Sequence, residues 1–175
     1  KNIDGVSTVT INDYNAAYEA TKHLIKEGCT KIAYLTGDRS LEIYENRFKG
    51  YQQALEDHNL KLNNDYIIQT RSKVEAGQQA VKQLLELKDR PDAIFSTSDF
   101  AALGAIQELK AQGIRIPEDF CVVGFGNESF TKFMELSIST VDQCTMEMGK
   151  IAAQVFLEQN ENSDNISIEK KVVLN

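Results

Sequence analysis

The sequence predicts an α/β protein built as a doubly wound parallel sheet with flanking helices. Three observations predict it. Short apolar runs with strand character alternate with segments whose apolar residues recur at helical spacing. The strand centres recur about every 30 residues, the length of a strand–helix–strand unit. Such units in series build a parallel sheet covered on both faces.

The elements follow in order. "VSTVTI" (6–11) reads as a strand, and Asn12 or Asp13 can cap the helix after it. Ala17, Thr21, Leu24 and Ile25 mark one face of that helix, which Gly28 ends. "KIAYLTG" (31–37) reads as a buried strand. Phe48, Tyr51, Gln52 and Leu55 mark a second helix, opened by Arg47 and ending near Asn59. "YIIQ" (66–69) is a strand. Gly77, Ala80, Val81, Leu84 and Leu85 mark a third helix, and Pro91 precedes the strand "AIFST" (93–97). Ala102, Leu103, Ile106 and Leu109 mark a fourth helix, closed by Gly113. Pro117 precedes the strand "CVVGF" (121–125).

Beyond residue 125 the rhythm breaks. Residues 126–137 show no helical pattern, and "SISTV" (137–141) reads as a short strand. Met148, Ile151, Ala152, Val155 and Phe156 form another helical face. A polar loop (160–165) precedes a strand over "ISIEKKVVL" (166–174).

Composition narrows the function. The formal net charge of −7 argues against an independent nucleic-acid binder, since phosphate neutralisation needs clustered Lys and Arg. Three cysteines far apart in sequence do not suggest a disulfide framework and favour a reducing compartment. With two histidines and no Cys-x-x-Cys pair, a zinc site or a Cys–His catalytic pair has little to build on. No cofactor, metal or catalytic set is expected. No apolar run approaches the ~20 residues of a membrane span. The chain starts at Lys1 without Met and reads as a fragment or a processed form.

In a sheet of this kind ligands bind beyond the carboxyl ends of the strands. Two charged residues fall there. Asp99 begins the fourth helix: it can cap the helix, hold a ligand with its second oxygen, or do both. Arg47, placed in a first helical turn, is unfavourable to the helix dipole. It is either solvated, paired with Glu45, or a fork of donors aimed at a ligand. "GFGN" (124–127) is not a dinucleotide fingerprint: Ser129 stands where the third Gly belongs, and no helix follows.

"HLIKEGCTKIAYLTG" (23–37), "RFKGYQQAL" (47–55), "PDAIFSTSDFAALGAIQELKAQGIRIPEDFCVVGF" (91–125) and "STVDQ" (139–143) together resemble the effector-binding domain of LacI/GalR-type transcription regulators. The resemblance runs along nearly the whole chain in one order. It implies a periplasmic-binding-protein-like fold of two lobes with a cleft between them. One lobe is nearly complete here, with pieces of the other. Residues 1–11 would end the first lobe's main segment, and 12–125 would make most of the second. Residues 126–160 would cross and carry a helix back to the first lobe. Residues 161–175 would hold the final loop and a strand finishing in the second.

The same resemblance implies a cytoplasmic, homodimeric regulator that is not an enzyme. It would sense a small-molecule effector, a sugar or sugar derivative. It would meet operator DNA only through an N-terminal helix-turn-helix domain outside this chain, and it has no membrane partner. Arg47 and Asp99 match the family's ligand-binding Arg and Asp. Ile43, Tyr44, Ser72 and Asn127 fall at or beside further ligand positions. Ile43 stands where some members place a polar base contact, and Ser72 where an aromatic wall often stands, which weighs against a purine. The alternative is a periplasmic sugar-binding protein of a transporter.

Overall fold

In a computed structural model of the chain, residues 6–161 and 170–174 are described. They form two compact units, Asp13–Val141 and a second made of the chain's two ends.

The larger unit contains strands β2 (Ile32–Thr36), β3 (Ile67–Gln69), β4 (Ala93–Ser96), β5 (Cys121–Gly126) and β6 (Ser139–Asp142, up to the unit's limit) in the order β3-β2-β4-β5-β6. β2 runs parallel to β3 and β4, and β4 parallel to β5, as the alternation predicts. Every residue of β2 and β4 is buried, which is what a parallel strand covered on both faces requires. Helices α1 (Asp13–Lys26) and α2 (Glu42–Asp57) pack on each other, as do α3 (Val74–Glu86) and α4 (Asp99–Ala111). The second pair is close: a Cβ at Gly104 would sit 1.9 Å from the Val74 carbonyl oxygen. Between α2 and the sheet, Tyr34 of β2 stacks on Tyr51 at 4.7 Å, and the Tyr51 hydroxyl donates to the Ile32 carbonyl at 2.8 Å.

The chain passes from β2 outward to β3 and returns across β2 to β4. β2 and β4 are therefore neighbours whose following segments lead to different helix layers. That reversal opens a crevice at their carboxyl ends.

Several boundaries differ from the sequence reading. The first strand, β1, is shorter than 6–11, covering Thr8–Ile11. The second helix begins at Glu42, so Arg47 lies in its second turn and does not open it. Gly28, at φ +93°, follows α1 as expected of a helix terminator. Residues Ser129–Lys132 form a short 3₁₀ turn within a stretch that shows no α-helical pattern.

The smaller unit holds β1, helix α5 (Thr145–Glu161) and strand β7 (Lys171–Leu174). Of the strand read over 166–174, residues 166–169 lie outside the described residues. β7 does not finish in the second lobe's sheet. It pairs in parallel with β1, Thr8 opposite Lys171 through Ile11 opposite Leu174. Sequence pattern fixes that a segment is a strand but not which edge it joins. Phe156, Leu157 and Val173 of this unit are exposed.

Candidate functional site

The carboxyl edge of β2, β4 and β5 gathers the charged residues of interest. Arg47 projects from the buried face of α2 and is only 2% exposed. Its Nε donates to Asp13 Oδ1 at 2.7 Å, and its Nη1 to the Thr97 carbonyl at 3.3 Å. Its guanidinium lies 3.6 Å from the centre of the Phe125 ring and 5.7 Å from that of Tyr44. Buried Nη2 has no hydrogen-bond partner among the described residues. Glu45 is not its partner: Arg39 takes Glu45 at 2.8 Å while stacking on Phe48 at 3.5 Å. The solvated reading and the Glu45 reading of Arg47 are both overturned. One turn further into α2 than expected, the side chain meets Asp13 instead.

Asp13 begins α1. Burial pushes its carboxyl up from the ordinary value, outweighing the Coulomb attraction and hydrogen bond of Arg47, which act the other way. A pair this close with both side chains largely buried keeps its charges only at a desolvation cost.

Asp99 is 1% exposed and sits at the first residue of α4. It is not the cap. Ser98 occupies the N-cap position and makes no side-chain capping bond. The Asp99 carboxylate turns toward the segment after β5. Oδ1 accepts from the Thr140 hydroxyl at 2.6 Å, and Oδ2 from the Glu128 N–H at 2.8 Å. Thr140 Oγ1 also accepts the Asn127 N–H at 3.3 Å. The glycines of "GFGN" make room for this carboxylate. A Cβ at Gly124 would stand 2.2 Å from Oδ1, and one at Gly126, whose φ is +140°, 3.1 Å from Oδ2. The motif rejected as a dinucleotide loop is a cradle for Asp99.

Of the six residues read from the sequence, Arg47 and Tyr44 fall in one cluster, and Asp99 and Asn127 in another. Asn127 adopts φ +52° and enters by its backbone. Tyr44 packs over Gly37, where a Cβ would lie 2.3 Å from its ring. Ile43 and Ser72 are exposed, on α2's first turn and on the β3–α3 loop, and belong to neither cluster. Sequence reading missed Asp13, Phe125 and Thr140 as members. Asp13 carried a signal, a carboxylate opening a helix, but it pointed only to a cap.

Residues 21–174 match the periplasmic binding protein-like domain family. The chain belongs to that family. Its relatives place it among the effector-binding domains of LacI-type transcription regulators. The ribose operon repressor of Haemophilus influenzae is 34% identical over 167 residues, 93% of this chain and 50% of the repressor. A LacI-type transcriptional regulator from Bacillus cereus subsp. cytotoxis superposes with a TM-score of 0.90 at 30% identity, covering 97% of this chain and 59% of that one. The transcriptional regulator CelR–cellobiose complex superposes with a TM-score of 0.89 at 27% identity, over 98% of this chain and 52% of that one. The chain thus spans about half the length of the curated relative it matches. These relatives are regulators rather than enzymes. Among the described residues no helix is long and apolar enough to cross a membrane.

Proposed function

We propose that the chain is the effector-sensing portion of a bacterial, cytoplasmic LacI-type transcriptional regulator. It binds a neutral polyhydroxylated molecule, a sugar or sugar derivative, at the carboxyl edge of the five-stranded sheet. The occupied site shifts a two-state equilibrium that governs operator binding by a helix-turn-helix domain elsewhere in the same protein, which acts as a homodimer. Relatives named as a repressor and as regulators favour this reading over a transporter's periplasmic binding protein.

The observation that carries the ligand class is the state of Arg47. Its charge is matched by Asp13, yet Nη2 remains a buried donor without a partner. A neutral hydroxyl satisfies that donor without demanding a second cation. Asp99 adds a negative charge nearby in the fold, which disfavours phosphorylated ligands further. Its carboxylate uses two of about four acceptor directions, so it can also take a ligand hydroxyl. Phe125 supports the guanidinium from one side and Tyr44 from another. A relative whose structure is a cellobiose complex and one named for the ribose operon agree with a carbohydrate.

The test is calorimetric titration of neutral sugars and their phosphorylated counterparts into the full-length regulator, with operator affinity read by fluorescence anisotropy. A neutral sugar should bind and change operator affinity, and Arg47→Lys should weaken it while keeping the charge. Tighter binding of the phosphorylated partner overturns the ligand class. Absence of any coupling to operator binding overturns the regulatory reading.

A further inference from the structure

The opposite end of the same sheet carries a second arrangement that the effector edge does not use. Cys29 follows α1 and is buried, and Cys121 opens β5 and is half-buried. Far apart in sequence, they are brought together by Asp92. Its carboxylate accepts the N–H groups of Thr30 and Lys31, each at 2.9 Å. Its carbonyl accepts the Cys121 N–H at 3.1 Å. This bridge sets Cys29 and Cys121 beside each other, and Cys121 Sγ lies 3.6 Å from the Pro117 carbonyl oxygen. Cys121 also lines a cavity of about 280 Å³, with His23, Glu27, Ile116 and Leu136.

We propose that Cys29 and Cys121 form a redox-active dithiol that a peroxide, entering by this cavity, closes into a disulfide. The roles follow from access. Cys121 faces the cavity, so its sulfur attacks the peroxide: an S–O bond forms, the O–O bond breaks, and the departing hydroxide leaves as water with the Cys121 proton. Cys29 sulfur then attacks the resulting sulfenic acid. The S–S bond forms, the S–O bond breaks, and a second water leaves with the Cys29 proton. Two thiols lose two electrons, and the peroxide is reduced to two waters. Cys29 suits the resolving role. Burial first, and then the neighbouring Cys121, push its thiol up to about 12, so it is a poor first nucleophile. The bond ties the end of α1 to the start of β5, the elements that carry Asp13 and Phe125 to Arg47.

The test uses the intact chain, reduced, freed of reductant and exposed to stoichiometric hydrogen peroxide. Thiol titration in denaturant should count all three cysteines before treatment and one after, with reductant restoring all three. Peptide mapping should link Cys29 to Cys121 within one chain. Cys144→Ser, which keeps the pair intact, should lose its two thiols at the wild-type rate. Cys29→Ser should leave Cys121 as a sulfenic acid that dimedone traps. The proposal is overturned if Cys29 and Cys121 stay open to alkylation after peroxide, or if the linked peptide contains Cys144. It is equally overturned if the loss of thiols depends on protein concentration. The Cys144→Ser arm decides the matter even if Cys29→Ser does not fold.

Discussion

The Arg47 cluster and the Asp99 cluster share one sheet edge but hold their charges differently. Arg47 is matched by a carboxylate, a carbonyl and a ring, and still has a donor to spare. Asp99 has no cationic partner among its hydrogen bonds; a backbone N–H and a hydroxyl occupy one oxygen each. A five-donor fork exceeds what its immediate acceptors take, whereas two carboxylate oxygens are readily filled by the chain's own groups. The first cluster is built around an opposite charge. The second pins the segment that leaves β5 for β6.

The largest effect that would test this contrast is at Arg47. Arg47→Met leaves the Asp13 carboxylate buried without its partner and should cost about 3–5 kcal/mol, read from the denaturant midpoint. A cost no larger than that of a surface change would mean the pair contributes nothing net. Asp99→Asn comes next. If Asp99 were a cap, Asn would replace it without loss. Because it accepts two hydrogen bonds instead, stability should fall by about 1.5–3 kcal/mol, and effector affinity by roughly tenfold to a hundredfold. Unchanged stability in the melting curve would return Asp99 to the capping role.

Thr140→Val should cost about 1 kcal/mol. It should couple to Asp99→Asn in a double-mutant cycle but add independently with Arg47→Lys. Coupling to Arg47 of similar size would merge the two clusters into one network.

Acidity separates the clusters in another way. Burial raises the Asp13 carboxyl above 3.8, so on raising the pH the unfolded chain ionises first. Asp13 therefore supports the fold at pH below that value, and the support is lost as pH climbs through its folded value. The pH–stability curve of wild type minus that of Asp13→Asn should fall with rising pH. A rising difference would mean that the attraction of Arg47 outweighs burial. The smallest effect is expected at Ser72, exposed on its loop: Ser72→Ala should stay within about 0.5 kcal/mol.

The parallel sheet was legible because β2 and β4 are continuous apolar runs and α1 to α4 keep their period. Placing Arg47 and Asp99 at the carboxyl edge followed from the same pattern. The partners were not legible. Asp13 reaches Arg47, and Thr140 reaches Asp99, only through strand order, which spacing does not encode. β7 shows the same limit: its residues say strand, but only pairing shows that it lies beside β1. Of the roles open to Asp99, capping follows from its place at the start of a helix, and that part fails, because Ser98 holds the N-cap position. The carboxylate instead turns into the space that Gly124 and Gly126 leave beside it.

Arg47 emerges during synthesis well before Thr97 and Phe125. Asp13 is already present, but burial of the pair awaits β4 and β5. Until then the guanidinium of α2 stays in water, where its pairing is weak and screened. The site therefore reports completion of the sheet. Its contacts are long-range in sequence, the kind that form late and slow a folding reaction. Substitutions there should speed unfolding more than they slow folding.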